Sequence, residues 1–197
     1  MHDTYLTIEK TSAAAVTEKR SKFIAFAHPV TSAEEVKETV QRYRKEYYDA
    51  SHVCWAYMLG TERTVFRAND DGEPSGTAGK PILGQINSNG LTDILVVVIR
   101  YFGGVKLGTP GLISAYKAAA AAVLNEAKIE ERTIDEIITI AFPYPQLNSI
   151  MRIVKEMNPT VVSQTFDIEC EMVLRIRKSK AEKLKGLLLK ASDAVKR

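Results

Sequence analysis

Six consecutive apolar residues, Ile94-Leu95-Val96-Val97-Val98-Ile99, form the strongest pattern in the chain. A β-branched run without alternation predicts a central strand covered on both faces. Residues 3–30 alternate weakly and contain Phe23-Ile24-Ala25-Phe26, which reads as a strand. Ser32 followed by Glu35 matches a capping box, and Val36, Val40, Tyr43 and Tyr47 recur at helical spacing, so a helix is predicted over about 33–48. His52 to Leu59 reads as a strand and Thr64 to Arg67 as a short one. Asn69 to Pro81 is a loop by composition, punctuated by Gly72, Pro74, Gly76 and Gly79. After the central run comes a glycine-rich turn. Thr109 and Pro110 then suit N-cap and N1 of a helix reaching about Ala127, whose Ala118–Ala122 stretch would let the backbone lie close to a sheet.

A second module is predicted from about Thr133. Ile134–Phe142 is strand-like, and Leu147, Ile150, Met151, Val154 and Met157 follow a helix that Asn158-Pro159 ends. Val161–Phe166 and Ile168–Ile176 read as strands. Ser179 with Glu182 reads as a capping box opening a last helix, with Leu184, Leu187 and Leu188 inward. The order β-α-β-β-α is a ferredoxin-like half-sandwich without its final strand, and Asp193–Arg197 are too short and polar to supply one. The expected domains are therefore 1–132 and 133–197, joined near the charged stretch 128–133.

The chain has 197 residues, 45% hydrophobic and 26% charged. That is ordinary globular usage and excludes a disordered tail, a collagen or a disulfide scaffold. No 18 consecutive apolar residues occur, and the first residues do not read as a signal peptide, so no membrane association is expected. Cys54 and Cys170 then read as reduced thiols of a cytoplasmic protein.

The net charge is +3. Residues 1–132 hold 16 basic and 16 acidic residues; residues 133–197 hold 11 and 8. From Arg175 to Arg197 nine residues are basic and two acidic. That stretch is either a surface for a polyanion or a solvated helix face.

Several motifs fail on inspection. Gly79-Lys80 is followed by Pro81, so there is no Walker A loop; Gly103-Gly104 to Gly108 has the wrong spacing for a dinucleotide fingerprint. Neither H-E-x-x-H nor paired C-x-x-C is present, so no metal or other cofactor is expected. Of three histidines, His52 is the plausible acid–base group. It shares a strand face with Cys54, but residues two apart on a strand sit roughly 6–7 Å apart at the backbone. A packed histidine and a buried thiol therefore compete with a Cys–His nucleophile.

Two stretches are too rich in glycine and charge for ordinary connections. Arg100 to Gly111 joins the buried strand to a helix. A helix N-terminus offers free N–H groups, and glycines let them approach a ligand. Arg100 and Lys106 add charge, while Gly103, Gly104 and Gly108 allow close approach, which together suit a phosphate. The competing reading has the glycines only shaping a crossover. In Asn69–Pro81, Ser75, Thr77 and Lys80 could join such a site, with His52, Asp70, Asp71 and Glu73 in support. These carboxylates could instead cap local N–H groups or pair with Arg100 and Lys106, and a metal among them is not expected.

Asp70-Asp71-Gly72-Glu73-Pro74-Ser75-Gly76-Thr77-Ala78-Gly79-Lys80-Pro81 and Ile99-Arg100-Tyr101-Phe102-Gly103-Gly104-Val105-Lys106-Leu107-Gly108 resemble the signature of the YigZ/IMPACT family, as do His52-Val53-Cys54 and Arg20-Ser21-Lys22-Phe23. The resemblance covers nearly the whole chain. It implies an α+β protein with an N-terminal domain like the second domain of ribosomal protein S5 and a C-terminal ferredoxin-like domain, both resembling C-terminal domains of elongation factor G. It also implies a link to translation, since the eukaryotic members regulate it through an additional domain. No catalytic residues come with it. The resulting expectation is a non-catalytic, translation-linked regulator that binds RNA or the ribosome, or a protein partner in translation control. The basic 175–197 region would extend its surface. Two rivals are an enzyme acting on a phosphorylated or nucleotide-like small molecule and a protein–protein adaptor.

Overall fold

The computed structural model describes residues 3–193, the side chain of Asp193 excepted. The chain divides into two units. One is Tyr5–Arg132; the other joins the residues up to Thr4 with the chain from Thr133 onward.

The larger unit runs β1 (Thr4–Ile8), β2 (Ser12–Glu18), β3 (Ser21–Pro29), α1 (Ala33–Glu46), β4 (His52–Leu59), β5 (Val65–Asn69), α2 (Gly79–Ser88), β6 (Ile94–Tyr101), α3 (Gly108–Glu126) and β7 (Ile129–Thr133). Five strands form one sheet in the order β2-β3-β6-β4-β5, antiparallel at every pairing. The apolar run sits at its centre, and both faces explain its lack of alternation. Val96 and Val98 enter a core with α2 and α3, whereas Leu95, Val97 and Ile99 enter another with α1. On α3, Ala119 and Ala120 are fully buried, so the helix lies close to the sheet. Ser32 caps α1, its Oγ accepting the Glu35 N–H at 3.2 Å; the Glu35 carboxylate reaches back to the Thr31 N–H at 2.7 Å.

Three elements depart from the sequence reading. Residues 3–30 hold three strands, not one. The alanine-rich β2 carries little strand signal of its own, and β1 is fixed by pairing with the distant β7. Helix α2 follows the loop directly. Gly79, Pro81 and Gly84 mask it, although Ile82 and Ile86 are fully buried at i, i+4 and Pro81 sits harmlessly in the first turn. Helix α3 starts at Gly108 with Leu107 as N-cap, so Thr109 and Pro110 lie within its first turn.

The second unit runs β8 (Asp135–Pro143), α4 (Leu147–Met157), β9 (Thr160–Thr165), β10 (Glu169–Arg177) and α5 (Lys178–Asp193). Its antiparallel sheet has the order β8-β10-β9, and Phe142, Ile150, Met172 and Leu184 are among its core residues. Asn158, at φ 50°, ends α4. Ser179 lies inside α5 and does not cap it. It instead hydrogen-bonds Asp3, which with Arg177 nearby holds that carboxyl below its usual range. Part of the basic run is already paired, Arg177 with Asp3 at 2.8 Å and Lys185 with Glu136 and Glu182. Of Asp193–Arg197, expected to be too short and polar for a final strand, Asp193 ends α5 and residues 194–197 lie outside the described residues. No described helix is long and apolar enough to cross a membrane.

Candidate functional site

Asp70 shapes the loop between β5 and α2. Its carboxylate accepts the N–H groups of Gly76, Ala78 and Gly79 at 2.8, 3.1 and 2.8 Å. Burial pushes this carboxyl up, but those donors, with Lys80 adding to them, outweigh it and hold it below the usual range. Asp71 accepts the Val53 N–H at 2.7 Å and pairs with Arg44 at 2.6 Å. The loop therefore wraps over the start of β4 and directs Glu73 inward.

Glu73 is 8% exposed, and Arg100 on β6 is 6% exposed. Arg100 Nη1 donates to Glu73 Oε1 at 2.6 Å, and the Tyr116 hydroxyl on α3 donates to the same oxygen at 2.7 Å. Glu73 Oε2 lies 3.7 Å from His52 Nε2. His52 Nδ1 is 2.8 Å from the Asp71 carbonyl, which can only accept, so Nδ1 donates its proton there. The guanidinium also lies between the rings of Phe23 and Phe102, at 5.6 and 5.7 Å from their centroids. Its Nε–H is buried without an acceptor among the described residues.

These groups floor an open cleft of about 510 Å3 lined by His52, Glu73, Arg100, Phe102, Lys106 and Gly108, among others. The two glycine-rich loops thus converge. Glu73 cancels Arg100, so the remaining charge is Lys106, exposed and without a carboxylate partner among the described residues, and the α3 N-terminus, which has no side-chain cap. Phe102, 51% exposed, adds a flat apolar surface.

The expected site residues sort unevenly. Lys106 and Gly108 line the cleft, and His52 sits beneath the Asn69–Pro81 loop, against Asp71. Arg100 is corrected: it is no free cation, because its Nη1 is held by Glu73 in a buried pair. Thr77 is corrected too, being 1% exposed with its hydroxyl bound to the Pro74 carbonyl at 2.6 Å. Ser75 and Lys80 are exposed but do not line the cleft. Asp70 and Asp71 serve backbone N–H groups. Gly104 and Gly108 hold φ of 84° and 71°, which glycine alone adopts readily. Gly103 serves packing, not ligand approach. A Cβ there would lie 2.1 Å from the Arg20 backbone carbon in the β2–β3 turn, where Lys19 and Arg20 both have positive φ. Gly103→Ala is therefore expected to destabilise the unit by about 1–3 kcal/mol through overpacking, read as a fall in Tm; an unchanged Tm would mean the turn yields freely.

Tyr116 and Ser21 belong to this network, and sequence reasoning missed both. A tyrosine in an alanine-rich helix needs a partner for its hydroxyl when buried, which was the available signal. Cys54 is excluded as a nucleophile. Its Sγ–H donates to the Asp70 carbonyl at 3.0 Å, with the Tyr116 hydroxyl 3.3 Å from the same sulfur, and burial pushes the thiol far up.

Residues 19–124 match the Impact N-terminal domain. Over 156 residues the chain is 36% identical to IMPACT family member YvyE of Bacillus subtilis, covering 79% of this chain and 72% of that one. It is 33% identical to IMPACT family member YigZ of Escherichia coli over 80% of this chain and 78% of that one. A crystal structure of a hypothetical protein superposes with a TM-score of 0.73 at 28% identity, covering 98% of this chain and 95% of that one. With the two signature loops meeting in one cleft and the match running over both units, the chain belongs to the IMPACT family.

Proposed function

We propose that the protein is a non-catalytic, translation-linked regulator that binds RNA or the ribosome through the cleft at the start of α3. The observation that carries this is an uncompensated positive rim, Lys106 beside the uncapped α3 N-terminus, over a floor whose own charges cancel. The link to translation is supported by the family resemblance alone. In the same reading the larger unit is the domain resembling the second domain of ribosomal protein S5. The smaller is ferredoxin-like, supported by the order β8-β10-β9, with β8 at the edge where a fourth strand would pair. The site of action is the cytoplasm, in keeping with two free cysteines. Lys106→Ala is expected to reduce the slope of log affinity for ribosomes or structured RNA against log salt by about one contact. Sedimentation through a sucrose gradient at increasing salt measures it. An unchanged slope would remove the cleft from the interface.

One observation favours a second reading, an enzyme for a phosphorylated small molecule. His52 Nε2 and the buried Glu73 sit together at the floor of a cleft of ligand size. Nucleotides with magnesium would then raise the Tm, since a ligand that binds only the folded form stabilises it. No shift across such a screen would retire this reading.

A further inference from the structure

On the opposite sheet face, α1 and the edge strand β5 enclose a second groove, of about 360 Å3. It plays no part in the α3 cleft. Its floor is Trp55 and Tyr57 on β4, whose rings lie nearly parallel, 11° apart in plane with centroids at 5.9 Å. The pairing of β4 with β5 sets Arg67 directly opposite Tyr57 and Asn69 opposite Trp55, so cations and amides flank the aromatic surface. From α1 the groove receives Lys37, Gln41 and Arg44.

The charge of this groove is one-sided. Its lining contains Lys37, Arg44 and Arg67 and no carboxylate. Arg44 is spent on Asp71, but Lys37 and Arg67 are exposed and have no carboxylate partner among the described residues. The Trp55 indole N–H is buried without an acceptor among the described residues. Asn69 uses its carbonyl oxygen on the Asp71 N–H, leaving its amide N–H groups to donate. A flat aromatic floor, two unpaired cations and amide donors are the parts that hold an unpaired base by stacking while its phosphates meet the rim. The volume is at the lower end of ligand clefts, roughly 300–1,000 Å3. It fits a nucleotide or two of a single strand.

We propose that this groove is a single-strand RNA contact, with a base stacked on Tyr57 and Trp55 and flanking phosphates on Lys37 and Arg67. The proposal rests on the reading of the protein as RNA-binding but uses a separate face, so the two can fail separately.

Trp55 is the chain's sole tryptophan, which makes intrinsic fluorescence a local reporter. A short oligouridylate, unable to pair with itself, is expected to quench it saturably in wild type and equally in Lys106→Ala. Lys37→Gln with Arg67→Gln should weaken the titration and lower its salt slope by about one to two contacts. Tyr57→Leu, which keeps the apolar contact with the core, should weaken it roughly 5- to 150-fold by loss of stacking. Circular dichroism identifies any variant that fails to fold, and the glutamine pair on the surface decides the case if Tyr57→Leu does. Absence of quenching, quenching by duplex RNA alone, or saturable quenching by an acidic peptide and not by oligouridylate would each overturn the proposal. Loss of ribosome co-sedimentation in Lys106→Ala with quenching intact would leave it standing.

Discussion

Glu73→Leu is expected to destabilise the larger unit by about 3–5 kcal/mol, because it strands the Arg100 guanidinium, 6% exposed, without its carboxylate. Against a total stability of roughly 5–15 kcal/mol this is near the limit of what a fold survives. The cost comes from the partner left behind, so Arg100→Met should be similarly damaging. The double variant Glu73→Leu, Arg100→Met should be much milder than the sum, since two apolar side chains between Phe23 and Phe102 need no solvation. Tyr116→Phe, which removes one donor to Glu73 Oε1, should cost only about 1 kcal/mol. Urea unfolding followed at Trp55 reports on this unit. If Glu73→Leu moved the midpoint little, or if the two single costs simply added, the pair would not act as a buried unit.

This network has a direct bearing on the cleft. Glu73 comes from the β5–α2 loop, Arg100 from β6, Tyr116 from α3, His52 from β4, and Ser21 receives Arg100 Nη2 at 3.5 Å from the start of β3. A single carboxylate therefore fixes the elements that carry the rim. Lys106 and the α3 N-terminus are held in place above a floor whose charges cancel one another. Preorganisation of this kind lowers the ordering cost of binding.

What the sequence disclosed follows from how local each feature is. The run Ile94–Ile99 and the Ser32 cap are properties of neighbouring residues, and both stand in the structure as read. Arg100 shows the limit. Its charge is legible, but the carboxylate that cancels it lies 27 positions away, and the tyrosine sharing that carboxylate another 43 from Glu73. Only the fold selects those partners, so a buried brace read as an open phosphate clamp. Gly103 shows the same limit for backbone. A glycine states that something comes close, and here it is the Arg20 turn, not a ligand. The aromatic groove escaped for a related reason. Trp55, Tyr57 and Arg67 look like ordinary strand residues until β4 and β5 pair and α1 crosses beside them.

Acid is expected to weaken the same unit through His28. This side chain, 9% exposed on β3, has Nε2 at 2.7 Å from the Tyr43 hydroxyl and Nδ1 at 3.0 Å from the Thr11 hydroxyl. Burial, with Arg42 adding to it, lowers its pKa from 6.5 to about 4. Between those values the unfolded chain binds a proton that the folded one refuses, so stability rises with pH across the window. The contribution is fully present above about pH 6.5 and is lost progressively as pH falls towards 4, to a total of roughly 2–3 kcal/mol. Tyr43, pushed up to about 12 by burial, stays protonated throughout and does not offset it. Urea midpoints of wild type and His28→Gln, read at Trp55 between pH 4 and 7.5, isolate the effect from carboxylates that titrate lower. The variant should be less stable at neutral pH but flatter in its dependence, the two curves converging in acid. Parallel curves would show that His28 takes up its proton within the fold.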